Sequence, residues 1–430
     1  MERYRATKAC PSPASFDLES GEAWAPPLAF LRRGFASRQL AMGCALFLLA
    51  AQLLPALAAG GLEGLRPNYK PVTPGLDYAR VQGTNWNDGQ PLSIHIARLD
   101  RSQKALFLTS SLAHGEIFGT APVSSIAASF PRERGEPLVA INAGFCIRTR
   151  NPYNGAPRGM VITQGELLSS PALCPFNYNF WVDKESALHF GTFQPALNAT
   201  LPDGTRVPIG LNHEGASNAV VLFTAILGQS TRATNHLELV LERPGEQRLA
   251  WHVGETYTVR VKSVNPAGNT HLSNSIAVLS FGSERAASAA TFKVGDQFKL
   301  DLKVTPGLKD VVTACHACFP IVQNGKPLEQ FEADGAMLHR NPRTAIGFNP
   351  RYFYMVVDGR QKTLSMGLKA RELAEFMAHL GCTEAMNMDG GGSSTFWLEG
   401  KTRNSVPGGR ERERADILVI AKRRDSLARQ

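Results

Sequence analysis

Asn387-Met388-Asp389-Gly390-Gly391-Gly392-Ser393-Ser394-Thr395 follows a short apolar segment, residues 382–386, and leads into Phe396-Trp397-Leu398. One carboxylate is followed by three glycines and three hydroxyls. Consecutive glycines are costly in backbone entropy, so either something approaches the backbone there or the turn needs unusual dihedral angles. The N–H groups of such a loop form an anion-binding nest, and the hydroxyls add donors. Asp389 at its mouth is the acid/base candidate. A tight turn between two strands is the plainer reading, but the density of chemical groups on one turn favours a site.

The surroundings of this stretch set the fold class. Upstream, residues 369–380 carry Leu373, Phe376, Met377 and Leu380 at helical spacing, with Gly381 placed to end the helix. Residues 352–359 read as a strand and turn, and residues 417–420 as a final buried strand. Far upstream, residues 137–141 form an apolar strand running into Asn142-Ala143-Gly144, a parallel to Asn387 and its glycine turn. Residues 92–99 alternate as a strand, and residues 123–130 read as a short helix. Two hairpins are predicted, at residues 158–167 on a Gln-Gly turn and at 319–328 on Asn-Gly. Between them lie short alternating stretches separated by Gly, Pro and Asn. The expected class is α+β: a twisted, largely antiparallel mixed sheet with few helices. A β-rich middle at about 183–305 is expected as an insertion or a sheet extension.

The chain has 430 residues and a net charge of +9, from 46 basic and 37 acidic side chains spread without basic–aromatic clustering. That is a solvated surface compatible with anionic substrates, and it excludes a nucleic-acid binder. Arg32, Arg33 and Arg38 precede an apolar run from 40 to 57 that ends in Ala56-Leu57-Ala58, the pattern of a cleaved export signal. The expectation is a leader over 1–59, a domain over 60–430 and work outside the cytoplasm. The membrane is met only through that segment if it stays uncleaved. Five cysteines follow it: Cys146, Cys174, Cys315, Cys318 and Cys382. In an oxidising compartment some are expected to pair. Cys315-His316-Ala317-Cys318 lacks a second ligand pair, so a disulfide is favoured over a zinc site, and no metal or cofactor is expected.

Anion-suited groups gather around the opening stretch. Arg343, in Pro342-Arg343-Thr344, offers a planar fork for phosphate or carboxylate. Downstream stand Asn404 and Arg410-Glu411-Arg412-Glu413-Arg414. Alternating signs usually mark a solvated, self-paired loop, which is the reading taken for Arg410 and Arg414; Glu411 and Arg412 are placed within reach of the site.

Taken together, Asn142-Ala143-Gly144-Phe145, residues 342–347, Val357-Asp358-Gly359, the block 367–396, Asn404 with Pro407, and Glu411-Arg412 before the last strand are similar to the phosphodiester glycosidase family. The motifs run in family order, weakly from Leu92 and strongly from Pro342. Two places depart from the pattern. Residues 315–320 stand where the family has a glycine-rich turn, and Arg414 stands where it favours an apolar residue.

The resemblance implies hydrolysis of the bond between a sugar anomeric carbon and a phosphate oxygen, on an N-acetylglucosamine-1-phosphodiester-like or other anionic glycan substrate. Bacterial members are often linked to exopolysaccharide. In that reading Asp389 is the catalytic carboxylate and Glu411 the reserve. Arg343, Thr344, Gly390, Gly391, Gly392, Ser393, Ser394 and Arg412 hold the phosphate. Asn142 and Asn387 bind sugar hydroxyls or orient Asp389, and Asn404 completes the set. The rivals are a non-catalytic glycan-binding protein of the cell envelope, a phosphodiesterase cleaving P–O, and a structural exopolysaccharide-export partner.

Overall fold

Residues 92–99 were expected to alternate between core and solvent, but the strand Pro91–Asp100 is buried on both faces. Its Leu92, Ile94 and Ile96 pack with Leu373, Phe376 and Met377 of the helix Ala370–His379. Its Ala97 and Leu99 face the opposite way, into a core shared with other sheets. The computed structural model that shows this describes residues 61–148, 152–171, 178–329, 335–359 and 363–424. The expected leader and Cys174 lie outside the described residues. The described residues fall within one compact unit, and none of their helices is long and apolar enough to cross a membrane.

Among the described residues four sheets form, and pairing is antiparallel except between Gly210–Leu211 and Val220–Phe223. The first sheet has eight strands, with Pro91–Asp100, Tyr352–Asp358, Thr344–Phe348, Glu384–Asn387 and Phe319–Gln323 adjacent in that order. A five-stranded sheet places Phe396–Leu398, Glu136–Asn142, Asp416–Lys422 and Leu106–Leu112 side by side. The two sheets face each other across a core that includes Ile141, Phe353, Met355, Phe396, Leu418 and Ile420. A second five-stranded sheet adds Phe180 and Cys315 to that core, and its Ile162, Leu167 and Ala314 pack against a second eight-stranded sheet. All strands of that last sheet come from residues 194–305.

Both hairpins form on turns of the expected kind. Gln164 and Gly165 have φ of 52° and 81°, and Asn324 and Gly325 have 50° and 75°. Positive φ at both central residues matches the right-handed twist of the flanking strands. The helix ends as its sequence requires: Gly381 takes φ 82°, a left-handed turn open to glycine at little cost. The expected disulfide is not formed among the described cysteines: Cys146, Cys315, Cys318 and Cys382 are all free and buried. Cys315 points into the core between the sheets, and Cys318 into the core beneath the helix. Three residues apart on extended chain, the two thiols face opposite ways.

Candidate active site

The facing sheets present two asparagine turns to each other. Asn142 ends Glu136–Asn142 and Asn387 ends Glu384–Asn387. Asn142 is fully buried and braces the glycine loop from below. Its Nδ2 donates to the Asp389 carbonyl at 2.6 Å, and its Oδ1 accepts from the Thr395 N–H at 3.1 Å and the Thr344 hydroxyl at 2.9 Å. Thr344 lies 3.1 Å from the Ser394 hydroxyl. Asn404 closes the far end, donating to the Ser394 carbonyl at 2.9 Å and accepting from the Phe396 N–H at 2.8 Å. Asn387 Nδ2 donates to the Met388 carbonyl at 2.8 Å. These side chains are spent on main chain and on one another. They hold the loop's shape, and of the two roles expected for Asn142 and Asn387, sugar binding or orienting Asp389, the Asn142–Asp389 bond fits the second.

Each glycine of the loop has its own reason. Gly391 has φ +62°. A Cβ on Gly390 would lie 3.0 Å from the Pro342 carbonyl oxygen, and one on Gly392 would lie 2.5 Å from Arg412 Nη2. Gly391–Ser393 form a single tight turn. The Gly391 N–H is used by the Pro342 carbonyl at 2.7 Å, and the Ser393 N–H reaches Gly390 O at 3.2 Å. The run of N–H groups expected to cradle phosphate is therefore partly consumed inside the loop.

The cationic partners differ from those expected. Arg343 is 2% exposed, but its guanidinium donates to the Leu368 and His339 carbonyls, each at 2.8 Å, and lies 3.0 Å from Met337 Sδ. Thr344, the next residue, turns its hydroxyl to Asn142, so along the strand Arg343 turns away from the loop. The Arg343 guanidinium is thus engaged with the Leu368 and His339 carbonyls. Asp358 accepts from the Arg343 N–H at 2.5 Å. Glu411 is likewise committed: its Oε2 accepts from the Ser124 N–H at 2.9 Å in the first turn of the helix Val123–Ala128, and its Oε1 from the Thr402 hydroxyl. A carboxylate at a helix N-terminus satisfies orphan donors and the helix dipole, and Glu411 takes that place here.

Arg414, dismissed on its charge pattern, reaches Asp389 instead. It is 2% exposed; Nη2 lies 2.6 Å from Asp389 Oδ2 and also donates to the Gly144 carbonyl at 2.8 Å. Its Nη1 donates to the Ser393 hydroxyl at 2.9 Å. Burial lifts the Asp389 carboxyl above its ordinary range, while Arg414, the Ser393 hydroxyl, Arg412 and Arg148 pull it back. With a guanidinium in direct contact, Asp389 is an ion-paired carboxylate at neutrality. Arg412 and Arg148 stand nearer solvent at the loop's mouth; burial pulls the Arg412 proton affinity down, and the neighbouring Arg148 adds to that. Three arginines around one buried carboxylate leave positive charge over for an anion.

Sequence reasoning missed a second buried carboxylate, Asp416, which is within electrostatic reach of Asp389 and Arg414. Its place at the start of an apolar strand was a legible signal, since a charged residue there needs a partner. His316 is wedged under Gly144 and Gly159, where Cβ atoms would meet it at 2.8 and 2.3 Å. Among the described residues no three His, Cys, Asp or Glu side chains gather as metal ligands.

Gly392→Ala should displace only the flexible tip of Arg412. Phosphate binding is then expected to weaken about tenfold, with stability changed by less than about 0.5 kcal/mol. Calorimetric titration with inorganic phosphate and a thermal melt check this; unchanged binding would mean that Arg412 takes no part in holding the anion.

Residues 250–421 match the model of the phosphodiester glycosidase family, the family that the motifs resemble. The SPbeta prophage-derived uncharacterized protein YomE of Bacillus subtilis (strain 168) is 35% identical over 104 residues, covering 24% of this chain and 16% of that protein. Among solved structures, a hypothetical protein from Synechocystis superposes with a TM-score of 0.65 at 20% identity, over 83% of this chain and 64% of that one. A putative exported protein from Burkholderia pseudomallei K96243 gives 0.60 at 20% identity, over 77% and 74%. At this identity the two structures share the fold. The chain spans about a sixth of the Bacillus relative and under two thirds of the Synechocystis structure.

Proposed function

With residues 250–421 matching the phosphodiester glycosidase family, we propose that the chain is an exported hydrolase. It cleaves the glycosidic C–O bond of a sugar 1-phosphodiester and releases free sugar and a phosphate monoester. The observation that carries the reading is Asp389, held 2.6 Å from Arg414 at the mouth of the glycine loop with Arg412 and Arg148 beside it. Export rests on the leader read from Arg32, Arg33 and the apolar run after Arg38.

In this mechanism the anomeric carbon gains oxocarbenium character as its bond to the phosphate oxygen lengthens. The bonding pair stays on that oxygen, so negative charge grows on the departing monoester. A phosphate is a good leaving group, and electrostatic capture by Arg412 and Arg148 stabilises it without full protonation. Asp389 takes a proton from the attacking water, whose oxygen forms the new bond to carbon. Arg414 holds Asp389 in place and ionised. The Asn142–Thr344–Ser394 network keeps the loop from relaxing, which preserves the preorganisation on which such stabilisation depends.

The test is hydrolysis of a panel of sugar 1-phosphodiesters, an N-acetylglucosamine member included, in oxygen-labelled water. Label in the sugar is expected. Label in the phosphate would replace the glycosidase with a P–O-cleaving phosphodiesterase, and binding without turnover on every substrate would leave a glycan-binding protein.

A further inference from the structure

We infer that Asp416 is a positioning residue of this site, the third member of a buried Asp389–Arg414–Asp416 trio whose charge sets how strongly the cluster holds an anion. The inference rests on reading the site as one that captures a phosphodiester.

Asp416 opens the strand Asp416–Lys422 and pairs in register with Leu112. It is 1% exposed, and no side chain donates a hydrogen bond to either carboxylate oxygen, which leaves the Gly144 amide as the donor that faces it. The groups facing it are Arg414, Asp389, the Cys315 thiol and the Gly144 amide, beneath which His316 is packed. Arg414 already serves Asp389 Oδ2, the Ser393 hydroxyl and the Gly144 carbonyl. One guanidinium thus stands against two buried carboxyls. A second buried charge with one amide for a donor is costly, so the trio keeps a proton instead. Burial raises Asp416 to about 7, Asp389 pushes the same way, and Arg414 and the Gly144 amide oppose both.

The consequence is electrostatic. With Asp416 protonated the trio is neutral, and Arg412 and Arg148 present their charge undiminished. Once Asp416 ionises, the trio carries a negative charge beneath the place where an anion binds. Asp416 then acts on the bound anion through Arg414 and the field of the site, without touching the anion itself.

The test compares wild type with Asp416→Asn, which matches the protonated acid in shape, and with the smaller uncharged Asp416→Ser. The anion probe is a simple dialkyl phosphate, singly charged across the range used. Wild type is expected to bind it about tenfold more weakly at about pH 8.5 than at about pH 6. Both variants are expected to change less than about twofold over the same range. A ligand-free readout accompanies this. Because the folded-state value of Asp416 is raised, its stabilising contribution is present below the ordinary carboxyl range and is lost as pH rises to about 7. Asp416→Asn is therefore expected to melt above wild type beyond about pH 7 and alongside it in acid. Equal pH dependence of binding in wild type and both variants would overturn the inference alone. Equal melting at every pH would also overturn it, since Asp416 would then hold no proton. A wild type that binds no dialkyl phosphate at any pH would remove the anion site itself, and with it the inference.

Discussion

Asp389→Asn is expected to fold and to lose about 10²–10⁴-fold in kcat on a sugar 1-phosphodiester, with KM much less affected. The amide keeps an oxygen for Arg414 at the position now 2.6 Å away and preserves the shape of the loop. What it loses is the ability to take a proton from water. The variant also sheds a carboxyl that burial holds above its ordinary range, so its melting temperature should change little. Single-turnover rates on wild type and variant, with a circular dichroism melt of each, make the measurement. A folded Asp389→Asn with full turnover would remove Asp389 from the chemistry.

Arg414→Met is expected to be the most destabilising single change at the site. It leaves Asp389 and Asp416 buried without their counter-charge, and breaking a buried pair in this way costs about 3–5 kcal/mol. The sign of the pH dependence is distinctive. Both carboxyls lie above their ordinary values when folded, and removing the cation raises them further. The folded variant therefore holds protons that the unfolded chain releases. Its deficit is small in acid and grows as pH rises through the ordinary carboxyl range to about 7 and beyond. Urea midpoints at about pH 5 and about pH 8 would show it. A variant as stable as wild type at both would mean that water, and not Arg414, compensates Asp389.

Local chemistry is what the sequence conveyed well. Three glycines after Asp389 predicted a constrained turn, and each proved to answer a positive φ or a close approach. The helical stripe of Leu373, Phe376 and Met377 is buried as its period requires. The Asn142 and Asn387 turns did prove to be paired, and Asn142 holds the Asp389 backbone in place. The expected disulfide does not form among the described cysteines, and Cys315 and Cys318, close in sequence, face different cores.

The sequence by itself determined the largely antiparallel α+β class, both hairpin turns, the helix and the place of the glycine loop. All of these follow from backbone dihedral preferences and hydrophobic period, which act over a few residues. Only the tertiary structure decided which charges meet. Arg343 is close to the loop in space but turns away because strand side chains alternate, whereas Arg414, from a loop that reads as solvated, is carried onto Asp389. Glu411 became a helix cap for the same reason. Ion pairing depends on register and on how two sheets face each other, and neither is encoded in the neighbours of the charged residue.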